Sequence, residues 1–260
     1  MMMKYKTKLL ADRFTAILSQ WPGVECISLN EAALSNTLDP YFALILDVFY
    51  AGPIPNAEAR YPLYGEDVAA FESARSGKDR FLIGNMPVRL EYKSIQQINE
   101  VVSIADTKLE FLWLIKDAGT YGYYRLTQGD LLFYRSDWIH GIRERLLKLG
   151  DGFWQQMREA NQSKMEHLLS DLGAAFIQED DFNYCISAAF FIKTACLTLF
   201  CINHRFEPSH RAYHNQVLEL PVLPASFHTH FEAFIRNDAE MTVKRKYSLA
   251  QIIARGIIAL

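Results

Sequence analysis

The chain has 260 residues, 50% of them hydrophobic and 22% charged, with a formal net charge of −3. These values indicate one large or two modest globular domains. They exclude a global positive field for nucleic acid or for an anionic membrane surface. The four cysteines, Cys26, Cys185, Cys196 and Cys201, form no C-x-x-C pair, so neither a disulfide framework nor a paired-thiol metal knuckle is expected. A reducing cytoplasm is the expected location. The first residues, MMMKYKTKLLADRF, lack the continuous apolar core of a signal peptide.

Leu9, Leu10, Phe14, Ile17 and Leu18 recur at helical spacing and predict a helix over 5–20, stopped by Trp21-Pro22-Gly23. Val24–Leu29 reads as a strand. Residues 30–41 read as a loop with a helical turn, closed by Asp39-Pro40. Ala43–Tyr50 is an apolar strand apart from Asp47, ended by Gly52-Pro53-Ile54-Pro55. A carboxylate inside such a strand costs several kcal/mol unless it is paired, protonated or bound to a metal. Residues 56–79 predict a loop with a short helix over 68–74. Strands follow at 80–83 and 88–93, the second alternating Val88/Leu90/Tyr92 with Arg89/Glu91/Lys93 as a half-exposed strand does. Ser94 is the expected N-cap of a helix to Ile104. Short apolar runs at 110–116 and 121–126 precede a Gln128-Gly129-Asp130 turn into LLFYR.

From Asp137 onward the pattern is helical, over 138–149, 153–172, 182–203, 209–218, 225–236 and 248–258, punctuated by Pro208, Pro221 and Pro224. The most apolar of these, Ile186–Ile202, carries Lys193 and reads as a buried core helix rather than a membrane span. The expected fold class is α+β: a mixed sheet with helices over 1–137, then an up-and-down helical bundle over 138–260.

Three segments carry a resemblance to a known family. They are GVECISLNEAALSNTLDPYFALILDVFY (23–50), YGYYRLTQGDLLFYRSD (121–137) and LFCINHRFEPSHRAYHNQVLELPVLP (199–224). Their order resembles the nucleotidyltransferase superfamily, in particular the kanamycin nucleotidyltransferase-like and minimal nucleotidyltransferase proteins with a DNA polymerase beta-like fold. The resemblance implies a nucleotide site in the cleft between the domains. It also implies a Gly-Ser pair cradling phosphates and a D-x-D pair holding Mg²⁺. Here Asn30 and Glu31 stand at the Gly-Ser positions, and Ala43 and Ile45 at the D-x-D positions. A triphosphate would then lack its charge clamp. The acids left for catalysis or for a metal are Asp47 and Glu91, with Mg²⁺ as the cofactor if the chain is active.

These departures lead to the expectation of a divergent, catalytically impaired or inactive member that binds a nucleotide or other small ligand in the cleft. A protein partner or a second copy of the chain is the other expected kind of partner, with neither nucleic acid nor membrane indicated. One alternative is an active enzyme that uses Asp47 and Glu91 to pass a nucleoside monophosphate to a hydroxyl acceptor. Another is a helical-bundle ribonuclease or toxin–antitoxin component using Arg205 and His210. The candidate ligand contacts are Lys193, Arg205, His210 and Arg211 in the bundle, with Tyr123 and Arg125 on a strand closing the sheet. Each has a structural counter-reading: Asp47 paired with Arg89 or Arg125, Lys193 snorkelling, Tyr123 in the core. His210 and His214 share an i, i+4 helical spacing, and zinc there would need a third ligand supplied by the fold.

Overall fold

The computed structural model describes residues 2–30, 44–74, 77–236 and 241–260. The expected loop and turn at 31–41, Glu31, Asp39 and Ala43 lie outside the described residues. The fold class is α+β. Two compact units form, one from Met1–Glu110 with Gly122–Lys148, the other from Phe111–Tyr121 with Leu149–Leu260.

The first unit is built on a six-stranded sheet. Helix α1 (Met2–Leu18) leads to β1 (Val24–Leu29) and β2 (Leu44–Tyr50). A short helix α2 (Ala57–Arg60) and a 3-10 turn (Tyr61–Tyr64) precede the hairpin β3 (Val68–Ala74) and β4 (Lys78–Ile83). Strand β5 (Met86–Ser94) follows, then helix α3 (Ile95–Asp106), helix α4 (Tyr121–Gln128), strand β6 (Asp130–Tyr134) and helix α5 (Trp138–Leu147). The strand order is β3-β4-β5-β2-β1-β6. Strands β2 and β5 are parallel, and the other neighbours are antiparallel.

Alternation on β2 sorts the two faces of the sheet. Leu44, Leu46 and Val48 join Phe14 and Leu18 of α1, Val88 and Leu90 of β5 and Phe81 of β4 in one core. Ile45, Asp47 and Phe49 therefore point to the other face. There Phe49 meets Trp138 of α5 at 5.5 Å between ring centroids.

Several local expectations change. Residues 68–74 are a strand, not a helix, because the antiparallel hairpin with β4 overrides weak helical propensity. The run 121–126 is helical, not a strand closing the sheet, and β6 takes that edge instead. The run 109–114 forms a 3-10 turn. Strand β5 is not half-exposed: it sits inside the sheet between β4 and β2, and Glu91 is only 4% exposed. Ser94 is the N-cap residue of α3, though its side chain makes no capping bond.

The second unit is helical: α6 (Asp151–Ile177), α7 (Asp181–Ile202), α8 (Tyr213–Leu218), α9 (Phe227–Ile235) and α10 (Val243–Ile258). The three-residue link between the long helices α6 and α7 turns the chain back on itself. Among the described residues α7 is the one helix long and apolar enough to cross a membrane. Its Tyr184, Ala188, Phe191, Ala195 and Leu199 pack with Leu172 of α6, Phe231 of α9 and Ile253 of α10, so it is the core helix of this unit. Helix α8 begins at Tyr213, later than expected, which leaves His210 in the turn before it.

Candidate functional site

Parallel pairing sets Asp47 of β2 opposite Glu91 of β5 on one face of the sheet. Asp47 is 1% exposed, and Ser28 of β1 stands opposite it on the other flank. Two carboxylates side by side at such depth repel unless cations lie between them.

Arg125, carried over this face by α4, supplies the main cation. Its Nε donates to Asp47 Oδ2 at 3.1 Å, its Nη2 donates to Asp47 Oδ1, and its Nη1 lies 2.9 Å from Glu91 Oε2. The planar guanidinium thus forks onto one acid and reaches the other with its remaining nitrogen. Lys93, two residues beyond Glu91 on the same face of β5, places Nζ 2.9 Å from Asp47 Oδ1. Lys78 of β4 lies 3.6 Å and Arg89 of β5 3.9 Å from Glu91 Oε1. Burial alone would raise the Glu91 carboxyl, but Arg125, Lys93 and Lys78 outweigh it and hold the group below the usual carboxylate range. Burial also lowers Lys93, with Asp47 partly offsetting the effect.

All four carboxylate oxygens of this pair therefore already face cationic nitrogens. A Mg²⁺ ion needs near-octahedral oxygen ligands at about 2.0–2.1 Å, and it would have to take the space of the Arg125 guanidinium. The donor set as arranged does not fit that ion. Among the described residues, no cluster of three or more His, Cys, Asp or Glu side chains could hold a metal.

Of the other expected site residues, Tyr123 is a core residue of α4, 4% exposed, whose hydroxyl donates to the Val101 carbonyl at 2.9 Å. It does not offer a stacking face. Arg125 lies on the same helix and serves the acids. In the second unit, Lys193 lies on α7 and lines a cavity. Arg205 and Arg211 are exposed outside the helices. His210 packs edge-on against Tyr213 at 5.5 Å, and no hydrogen bond joins it to Arg205 among the described residues. His210 and His214 do not share a helix, and His214 Nε2 pairs with Glu232 Oε1 at 2.7 Å.

Lys93 and Lys78 are the members of the acid cluster that the sequence reading did not single out. The signal for Lys93 was its i, i+2 spacing from Glu91. For Lys78 there was no local signal, because its contact depends on the β4–β5 register.

No family model matches the chain, and no curated protein matches it. Among solved structures, the chain is similar to a nucleotidyltransferase-like protein from Exiguobacterium sibiricum, at 12% sequence identity and a TM-score of 0.49, over 95% of this chain and 72% of that one.

Proposed function

We propose that this chain is a non-catalytic, ligand-binding protein of the nucleotidyltransferase type, in which the surviving acids have become a structural ion-pair cluster. The observation that carries this reading is the Arg125 guanidinium lying against both Asp47 and Glu91. A metal-dependent transferase needs such carboxylates free to hold a cation that clamps the triphosphate. Here a side chain of the protein holds that place, and Asn30, Ala43 and Ile45 stand where the resemblance calls for glycine or acid.

The neighbouring positions of Asp47 and Glu91 favour one second reading, an active enzyme passing a nucleoside monophosphate to a hydroxyl acceptor after Arg125 withdraws. One experiment separates the two. The full chain is incubated with labelled nucleoside triphosphates and Mg²⁺ or Mn²⁺, with calorimetric titration of each metal alongside. No transfer and no saturable metal binding are expected. Metal-dependent transfer that disappears in a folded Asp47→Asn variant overturns the non-catalytic reading.

A further inference from the structure

The second unit holds its own cavity, about 270 Å³ in volume, built from the turn Lys116–Ala118, helices α6 and α7 and the segment after α7. Three of those elements each contribute a lysine to its lining: Lys116 from the turn, Lys164 from α6 and Lys193 from α7, all three exposed. Among the described residues none of the three has a carboxylate partner within ion-pair distance, in contrast to the cations of the first unit, which crowd round Asp47 and Glu91. Three lysines without an ion-pair partner in the lining of one concavity raise the local positive potential and favour an anion there.

The floor of the cavity is fixed. Glu207 is 6% exposed. Its carboxylate accepts from the Tyr213 hydroxyl at 3.0 Å, and its backbone N–H donates to Thr120 Oγ1 at 2.8 Å. Its Oε1 reaches so close to Gly119 that a Cβ there would stand 2.6 Å away. Burial pushes this carboxyl above its ordinary value even though Tyr213 and Lys193 act to lower it. Asp117 adds one exposed carboxylate at the rim. Leu168 and Leu197 contribute apolar wall. The volume corresponds to roughly nine waters, which admits a compact organic molecule and no large one.

We propose that this cavity binds a small phosphomonoester, with the phosphate on Lys116, Lys164 and Lys193 and a compact apolar body against Leu168 and Leu197. A dianionic head suits three ammoniums better than a single carboxylate does. This inference rests on the ligand-binding half of the reading above and not on the acid pair.

The test titrates the full chain with phenyl phosphate as probe, by calorimetry and by thermal shift, with inorganic phosphate in parallel. Saturable one-to-one binding that raises the melting temperature is expected, together with affinity that falls as salt rises. In Lys164→Gln/Lys193→Gln, two exposed helix positions, with circular dichroism used to check that the helices remain intact, affinity should drop about tenfold or more. Absence of saturable binding up to about 10 mM, or unchanged affinity in the double variant, overturns the proposal. Equal affinity for inorganic phosphate overturns the assignment of an apolar body. Failure here leaves the role of Arg125 standing, and transfer activity in the earlier assay would remove the non-catalytic reading without touching this cavity.

Discussion

Asp47 and Glu91 stand opposite each other on the parallel strands β2 and β5. Each carboxylate takes part of the same guanidinium, that of Arg125. Neither acid is stable at that depth without its cation, so the three residues behave as one unit.

Removing the cation should therefore cost more than an ordinary surface substitution. Arg125→Met is expected to destabilise the folded chain by about 3–5 kcal/mol, because it strands two buried carboxylates. Asp47→Leu added to Arg125→Met should recover part of that loss, since one unpaired charge goes with it. Urea denaturation of the wild type, both single variants and the double variant reads the coupling. Strict additivity would show that the two residues do not act together.

Asp79 and Glu91 together make the acid-side pH dependence. Asp79, fully buried, accepts from Arg60 Nε at 2.7 Å and Nη2 at 2.8 Å, Ser73 Oγ at 2.7 Å, Tyr64 Oη at 2.5 Å and Tyr92 Oη at 3.0 Å. Burial acts to raise the Asp79 carboxyl, but Arg60, Tyr64 and Ser73 outweigh it and lower the group below its ordinary value. Glu91 is lowered for a like reason. For groups depressed in the folded state, the stabilisation is complete above the unfolded value, near pH 4, and is lost as pH falls through the lower folded values. Stability should thus fall from about pH 5 downward. Asp79→Asn should be less stable at pH 7 by about 3–5 kcal/mol and show a flatter acid limb in thermal melts from pH 7 to pH 3.

Gly119 is a backbone requirement. Its φ of 72° and ψ of −173° belong to a region open essentially to glycine alone, and the Glu207 carboxylate occupies the space a Cβ would need. Gly119→Ala should lower stability by about 1–3 kcal/mol. Because it displaces Glu207, it should also weaken phenyl phosphate binding at the cavity. Chemical denaturation and calorimetry check the two effects separately.

The thiols should divide by burial. Cys185 is exposed, whereas Cys26, Cys196 and Cys201 are buried, and burial pushes each of these three up to about 12. A thiol-reactive dye on the native chain should label Cys185 first and the other three only on unfolding. Mass spectrometry of the labelled peptides reads this directly.

Local pattern carried most of the elements. Phe14 and Leu18 marked α1 by their helical spacing. The apolar runs around Leu46 and Phe191 marked β2 and α7. Pattern failed at 68–74 and 121–126, where short segments of mixed propensity took their conformation from the neighbours they packed against. A period of two on β5 also suggested an exposed face, which the sheet's interior position and α4 cover.

From the sequence by itself it follows that Asp47 lies in an apolar strand and needs a partner, and that the chain divides into a sheet-bearing part and a helical part. Both follow from side-chain chemistry and short-range periodicity. Which cation answers Asp47 was decided only by tertiary structure: Arg125 is 78 positions away, and it arrives through the parallel register of β2 with β5 and the helix laid over that face. The meeting of Lys116, Lys164 and Lys193 has the same origin. Each is an ordinary lysine in sequence, and only the packing of three separate elements brings them into the lining of one cavity.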